Sequence, residues 1–341
     1  MGWYRCKNTR KDFSVRTGTM FEYSRIPLRK WFLAIFLITS RPKGISSLRL
    51  AKDLGIGETA AWFMLHRIRG GFTHKGGKLS GKVEIDETFV GGKNKNRHKC
   101  QKLSISQGRS FADKVAVLGM MERDPNGGGK KVVCSVTVDT KTNSLTPPIL
   151  ATVDKSAEIY HDEWRGYRKV DAEYKHAVVD HGHGIYVEAG GVYTNTIEGF
   201  WGTYCKRAIT GTYNHISGAH MHRYFDEFAY RYNNRKVSDN DTFVGFFDNI
   251  EHRLKYTDLI KEHRERNREP LTKLANEQRK QWRKKKAEQD AKKAQQKAKA
   301  AQRAKQLKAK QKAKFQAELD AAYQAGMQAA QTQAVIHPSA G

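Results

Sequence analysis

The sequence predicts a mixed α/β domain with one central sheet, preceded by a helical region and followed by a basic tail. Short apolar runs separated by turn signals fill the middle of the chain and indicate strands. Apolar residues at helical spacing come before and after these runs. Three strands in a row, a crossover, further strands and then helices are typical of a domain built around a single sheet.

Two helical patterns lie within the first 75 residues. Residues 45–69 indicate a helix, a turn bracketed by Gly55 and Gly57, and a second helix. This order is that of a helix-turn-helix, whose second helix enters the DNA major groove, and a plain helical hairpin is the alternative. Arg67 and Arg69, near the end of the second helix, are the candidate DNA contacts.

The middle of the chain contains five strand candidates. Glycines 127 to 129 make a strong turn signal between the second and third, so the first three strands are predicted to form an antiparallel meander. A crossover is expected in residues 143–153, and helical patterns follow the last strand at 194–209 and 220–235. The strand candidates are residues 82–92, 114–123, 130–138, 158–167 and 174–181.

The charge balance favours a polyanionic partner. The 341 residues carry 62 Lys and Arg against 35 Asp and Glu, a net charge of +27. Nucleic acid is the first candidate and an anionic membrane surface the second. Residues 271–315 hold 17 Lys and Arg against 3 Asp and Glu, about half of the excess. This Lys/Ala/Gln-rich tail is predicted to be a solvated helix or a disordered segment, and the folded part keeps the other half.

A membrane protein is not favoured by any segment. The longest apolar run, residues 31–39, is far shorter than the roughly 20 residues that a spanning helix needs. The first residues lack the pattern of a secretory signal. We therefore expect a cytoplasmic, nucleoid-associated protein without a membrane partner. The cysteines are far apart without a CxxC pair, which fits a reducing compartment: Cys6, Cys100, Cys134 and Cys205.

Three carboxylates are the candidate catalytic residues. Asp86 lies inside the first strand, where an aspartate is unusual unless it is paired or functional. Asp162 lies at the end of the fourth strand candidate, and Glu198 lies in the first turn of the following helix. Strands one and four of such a sheet can be neighbours, and a helix across their ends would bring the third acid close. Three carboxylates suit Mg²⁺, and two such ions support phosphodiester chemistry.

Each carboxylate also has a structural explanation. Asp86 could pair with a neighbouring arginine, and Asp162 could start a turn before Gly166. Glu198 is the third residue after Asn195, which is the spacing of a capping box. Spacing alone does not decide between these explanations and catalysis. The order of the three acids within a basic protein favours catalysis.

Six stretches, three of which contain these acids, match in order and together resemble the DDE transposases of bacterial insertion sequences, in the group called ISXO-two-like. The resemblance extends from residue 1 to about 260. It implies a zinc-ribbon remnant at 1–24, a helix-turn-helix-like DNA-binding region at 25–75, an RNase H-like catalytic domain at 80–260 and a tail at 261–341. The matching stretches are FSVRTGTMFEYSRIPLRKWFLAIFLITS, GISSLRLAKDLGIGETAAWFMLHRIR, VEIDETFVGGKNKNRH, HDEWRGY, YTNTIEGFWGTYCKR and RYFDEFAYRYNNR.

The resemblance also implies an activity. It predicts cleavage and strand transfer at inverted-repeat ends, with Mg²⁺ or Mn²⁺ bound by Asp86, Asp162 and Glu198, in a homo-oligomer assembled on DNA. The third position is Asn in parts of the family, which makes Asn195 a rival of Glu198. An active transposase is the leading interpretation. The alternative is a catalytically inactive, decayed or reused transposase that acts as a DNA-binding protein.

Further basic residues are candidate DNA contacts. The loop after the first strand contains Lys93, Lys95 and Arg97, which could hold the DNA backbone. Lys206 follows Glu198 by eight residues, about 80° around an α-helix and thus near its face, while Arg207 points away. A solvated surface lysine is the alternative for Lys206.

The family usually opens with a zinc ribbon made of two CxxC pairs. Here Cys6 is present, but Thr9 stands at the position of its partner. One thiolate cannot hold a structural Zn²⁺, which takes four ligands. We therefore expect no zinc, either because the ribbon has decayed or because its first part lies upstream of this start.

Overall fold

The computed structural model describes residues 2–74, 76–91, 114–179 and 193–266, and parts of the tail between residues 280 and 327. The chain divides into two units, residues 1–275 and 276–341. In the second unit, residues 287–299 form an exposed helix. For that stretch the helical alternative is the one that the structure adopts.

The first unit begins with a small hairpin, which is followed by a helical region. Ser46 caps the second helix by accepting a hydrogen bond from the backbone N–H of Arg49, and Gly55 ends it in the left-handed conformation, with φ 58°. The predicted helix, turn and helix are confirmed as local structure. These elements are β1 (Tyr4–Arg5), β2 (Asp12–Phe13), α1 (Leu28–Ser40), α2 (Ser47–Leu54) and α3 (Glu58–Gly70).

One mixed sheet of five strands forms the centre of the unit, in the order β5-β4-β3-β6-β7. The first three strands form the predicted antiparallel meander, with Gly127 and Gly128 at positive φ in its turn. The last two run parallel to β3 and to each other. The strands are β3 (Lys82–Gly91), β4 (Lys114–Arg123), β5 (Gly129–Thr137), β6 (Glu158–Asp162) and β7 (Lys175–Val179).

The fourth strand is shorter than predicted. It ends at Asp162, because the Asp162 Oδ1 atom accepts a hydrogen bond from the Trp164 backbone N–H at 3.1 Å and the chain turns into a single 3₁₀ turn, Arg165–Tyr167. The expected crossover between β5 and β6 contains a helix, α4 (Thr142–Thr152). A short helix, α5 (Arg168–Asp171), leads to β7.

Helices complete the unit after the sheet, and both predicted helical segments are confirmed. The first begins as an α-helix and continues as π-helix over Trp201–Lys206 and Ile209–Tyr213. π-Helical stretches are uncommon and are frequent at functional sites. The helices are α6 (Asn195–Phe200), α7 (Met221–Asn233), α8 (Asp239–Phe246) and α9 (Tyr256–Arg266).

Alternating residues of β4 belong to two different hydrophobic cores, as expected for opposite faces of a strand. Val117 and Met121 pack with α6 and α7, whereas Leu118 and Met120 pack with α4. A third core joins α1, α2 and α3, and it also includes Phe246 of α8. Among the described residues, no helix is long and apolar enough to cross a membrane.

Candidate active site

Two of the three candidate carboxylates are placed by the pairing of β3 with β6. These parallel strands pair Lys82 with Glu158 and Glu84 with Tyr160. The same register, continued by two residues, places Asp162 opposite Asp86. Since side chains alternate along a strand, Glu84 and Asp86 share one face of the sheet.

The third carboxylate is placed by a buried acid on β3. The Glu84 Oε2 atom accepts a hydrogen bond from the backbone N–H of Ile197, the residue before Glu198, at 2.9 Å. Its other oxygen accepts from the Arg123 Nε at 2.6 Å. Glu84 is fully buried, so its charge is compensated by these two donors. The start of α6 is thereby fixed against the strand that carries Asp86.

A tryptophan on the same helix contacts Asp86 directly. The Trp201 Nε1 atom donates to the Asp86 Oδ2 at 2.9 Å. On β4, the residue paired with Asp86 is Gly119, where an added Cβ would overlap the Trp201 ring. The glycine therefore lets the indole lie against the sheet. Trp201 is 8% exposed. The sequence patterns did not reveal this hydrogen bond or the role of Glu84, whose only signal was a second acid two positions before Asp86.

The pKa of Asp86 is affected by both of the other carboxylates. Burial, followed by the negative charge of Asp162, raises the pKa of Asp86 to about 6. Glu198 adds a smaller effect of the same sign, whereas the hydrogen bond from Trp201 opposes the shift. Interactions between charges fall with distance, so both acids lie near Asp86. Asp86 and Asp162 are half-buried and Glu198 is exposed, which leaves the site open to a large substrate.

The structural explanations for these acids have different outcomes. α6 begins at Asn195, so Asn195 is not its N-cap and the capping-box alternative for Glu198 is wrong. Asp162 does start a turn, through its bond to the Trp164 N–H, while it also lies near Asp86. For Asp86, the hydrogen-bond donor is Trp201 rather than an arginine.

Hard carboxylate oxygens are the donor set that Mg²⁺ prefers. In the described part of the chain, no three or more His, Cys, Asp and Glu side chains are arranged to hold a metal ion. Burial raises the pKa of Asp86, and the negative charges of Asp162 and Glu198 raise it further. A bound cation would relieve that repulsion. The chemistry of the three acids therefore fits divalent cations.

The prediction that Arg67 and Arg69 contact DNA is corrected by the structure. Arg67 donates to the backbone carbonyls of Met20, Glu22 and Leu254 at 2.9 to 3.0 Å. The Arg69 guanidinium is buried and forms an ion pair with Glu227, 2.7 Å from Nε to Oε2. Both guanidinium groups therefore bind partners inside the protein. The sequence prediction missed this because those partners come from distant segments, which the helical pattern does not reveal.

The other predicted DNA contacts are placed in part. Lys206 and Arg207 are both exposed on the helix that carries Glu198. The estimated angle of 80° assumed an α-helix, and it does not apply through the π-helical stretch Trp201–Lys206. The loop with Lys93, Lys95 and Arg97 lies outside the described residues. For these five residues DNA contact stays a prediction.

Comparison with known proteins identifies the family. The ISXO2-like transposase domain matches residues 78–233, which include all three carboxylates. A relative from Halobacterium salinarum, described as an uncharacterized protein in transposable element ISH50, is 31% identical over 205 residues. The match covers 57% of this chain and 67% of that relative. The chain belongs to the family of ISXO2-like transposases.

Proposed function

We propose that this transposase cleaves DNA at the inverted-repeat ends of an insertion sequence and joins the freed ends to target DNA. Asp86, Asp162 and Glu198 are the metal-binding and catalytic residues of an RNase H-like domain. The observation that carries this proposal is the packing of the three acids: β3 and β6, which carry Asp86 and Asp162, pair in parallel, and Glu84 on β3 binds the start of the helix that carries Glu198. The five-stranded mixed sheet with flanking helices supports the RNase H-like assignment.

The protein's own groups prepare the site. Trp201 orients Asp86 by a hydrogen bond, and Glu84 fixes the helix that presents Glu198. When bound, two Mg²⁺ ions would activate a water or 3′-hydroxyl nucleophile and stabilise the leaving oxygen. A carboxylate cluster that repels itself has a high affinity for such cations, because binding them relieves the repulsion.

The surface charge supports DNA as the substrate. The net charge of +27 attracts the phosphate backbone, independently of its sequence. Lys206 and Arg207 are exposed on the helix that carries Glu198, where contacts to phosphate would orient the duplex at the site.

The test uses the full chain and a labelled duplex with the inverted repeats that flank its gene. With Mg²⁺ or Mn²⁺ we expect strand nicking followed by joining, and Asp86→Ala or Asp162→Ala should abolish both. The matched control is Glu173→Gln, an exposed acid paired with Lys155, which should retain activity. Comparison of Glu198→Ala with Asn195→Ala identifies the third ligand.

Two results would overturn the proposal. Activity that survives Asp86→Ala and Asp162→Ala would show that the acids are not catalytic. Sequence-specific DNA binding without any metal-dependent cleavage would select the alternative, a transposase that has been reused as a DNA-binding protein.

A further inference from the structure

Helix α1 is apolar on the face that it turns to solvent as well as on the face that it buries. Its buried side packs in one core with α2 and α3. Its outward stripe contains Phe32, Leu33 and Phe36, which are 39% to 45% exposed. The outward face of a surface helix is normally polar, and a helix that is apolar all round is normally buried. The described part of the chain therefore leaves an apolar side of α1 uncovered.

Helix α8 extends this apolar surface. The Phe32 ring lies 5.3 Å from the ring of Phe247, just past the end of α8, and the Phe36 ring lies 5.9 Å from that of Phe243, centroid to centroid. The contacts advance along α1 while they move back along α8, so the two helices run antiparallel. Val244 of α8 is also exposed. We call this surface the aromatic face, and its residues are Phe32, Leu33, Phe36, Phe243, Val244 and Phe247.

The charges beside the aromatic face have opposite signs on the two helices. The charged residues of α1 are all basic, and Arg29 lies one turn before Phe32 on the same outward stripe. Those of α8 and the turn after it are all acidic: Asp239, Asp241 and Asp248. Arg29 and Asp248 are exposed, and neither forms an ion pair with a described residue. Both charges are thus available to a partner.

We propose that the aromatic face binds the same face of a second copy of this chain, around a two-fold axis that runs along the two helices. This axis sets α1 of each copy against α8 of the other. Because the helices are antiparallel, Arg29 of each copy then faces Asp248 of the other. An axis perpendicular to the helices would instead set α8 on α8, where like charges repel.

The composition of the aromatic face agrees with this partner. Aromatic residues are enriched at the centres of protein interfaces, and charged residues are depleted there. The acids of α8 would repel DNA phosphates and anionic lipids. A second copy supplies both the apolar area and the complementary charges, since one surface carries both signs.

The experiment measures self-association of the full chain by sedimentation equilibrium, without DNA or metal ions. The wild type should form a dimer. Leu33→Glu puts a charge into the apolar contact and should weaken the dimer at least about tenfold. Arg29→Glu should weaken it about tenfold, because the axis repeats each contact and one substitution sets two pairs of like charges against each other.

The decisive variant combines Arg29→Glu with Asp248→Arg. It restores both pairs of opposite charges with their signs exchanged, so it should dimerise like the wild type. The matched control is Leu48→Glu, which changes another exposed leucine, on α2 and outside the aromatic face. It should leave the dimer unchanged, and equal melting temperatures would show that the variants are folded.

Three results would overturn the inference. The wild type could remain a monomer up to about 100 µM. The dimer could persist in Leu33→Glu, or weaken equally in Leu48→Glu. The double variant could dimerise as weakly as Arg29→Glu alone. The proposed function is tested separately, since a protein that dimerises in this way but does not cleave DNA would contradict only the proposed catalysis.

Discussion

Two clusters of charged side chains in this protein differ in how the fold treats a carboxylate. The acid cluster consists of Asp86, Asp162 and Glu198. Burial, and then the like charges of the other two acids, raise the pKa of Asp86 to about 6. The ion cluster consists of Glu227 between Arg69 and Arg231. Burial by itself raises the pKa of Glu227, but the charges of the two arginines outweigh it, and the pKa is lowered.

The two clusters differ in the sign of the charges that act on the buried acid. In the ion cluster the protein supplies its own cations, and Glu227 also accepts a hydrogen bond from Tyr213. In the acid cluster, the two charges that shift the pKa of Asp86, those of Asp162 and Glu198, are both negative. Carboxylates with shifted pKa values that repel one another are common at functional sites, where a bound cation can balance their charge.

The largest effect is expected from a variant that breaks the ion cluster. Glu227→Gln leaves the buried guanidinium groups of Arg69 and Arg231 without a counter-charge. We expect it to lower the free energy of unfolding by about 3–5 kcal/mol, as for other broken buried ion pairs. Urea unfolding at pH 7 measures this change. A loss below about 1 kcal/mol would mean that the cluster is not a structural centre.

The second prediction concerns the acid cluster and pH. The pKa of folded Asp86 is about 6 against an ordinary value of 3.8, so the folded state binds a proton more tightly than the unfolded state. Stability from this group is therefore present at low pH and is lost as the pH rises from about 4 to 6. The loss amounts to about 3 kcal/mol, and Asp86→Asn should be free of it.

Urea unfolding of the wild type and Asp86→Asn, from pH 4 to 7 without metal ions, measures this difference. Burial also raises the pKa of Asp226 to about 6, but this residue is present in both proteins and its effect cancels. If the acid cluster binds Mg²⁺ as proposed, the ion should stabilise the wild type and not the variant. Parallel pH profiles for the two proteins would contradict the raised pKa of Asp86.

The smallest effect is expected at an ion pair on the surface. Lys155 and Glu173 form a salt bridge with both side chains about half exposed. Glu173→Gln should change the free energy of unfolding by less than about 1 kcal/mol, because solvent screens such pairs. The same urea titration provides the measurement. A change as large as that of Glu227→Gln would show that burial is not what distinguishes the ion cluster.

Local patterns in the sequence predicted the elements well. Apolar runs gave the bounds of β3, β4 and β5 to within one residue, because strand and turn preferences act over a few neighbours. The end of β6 was misplaced, because the turn depends on how the Asp162 side chain bonds the backbone. The three candidate acids were also found from their local context: one inside a strand, one at the end of a strand and one in the first turn of a helix.

Contacts between distant segments were beyond these patterns. Arg69 was predicted to contact DNA, but it is paired inside the protein with Glu227, which is 158 residues away along the chain. The Glu84 bond to the Ile197 N–H spans 113 residues, and the Trp201 bond to Asp86 spans 115. A side chain's partner, not its own helical or strand pattern, decides whether its charge is buried. The sequence therefore indicated which acids to consider, and the packing determined how each is held.

The parallel ladder between β3 and β6 has a consequence for divergence among related chains. The register of β3 and β6, extended two residues beyond its last pair, brings Asp162 beside Asp86, whatever the length of the segment that connects the strands. Insertions or deletions in the hairpin before β5, or around α4, would change the numbering of the second aspartate while leaving the two acids side by side. In such relatives, the interval between the acids would vary while the ladder itself persists.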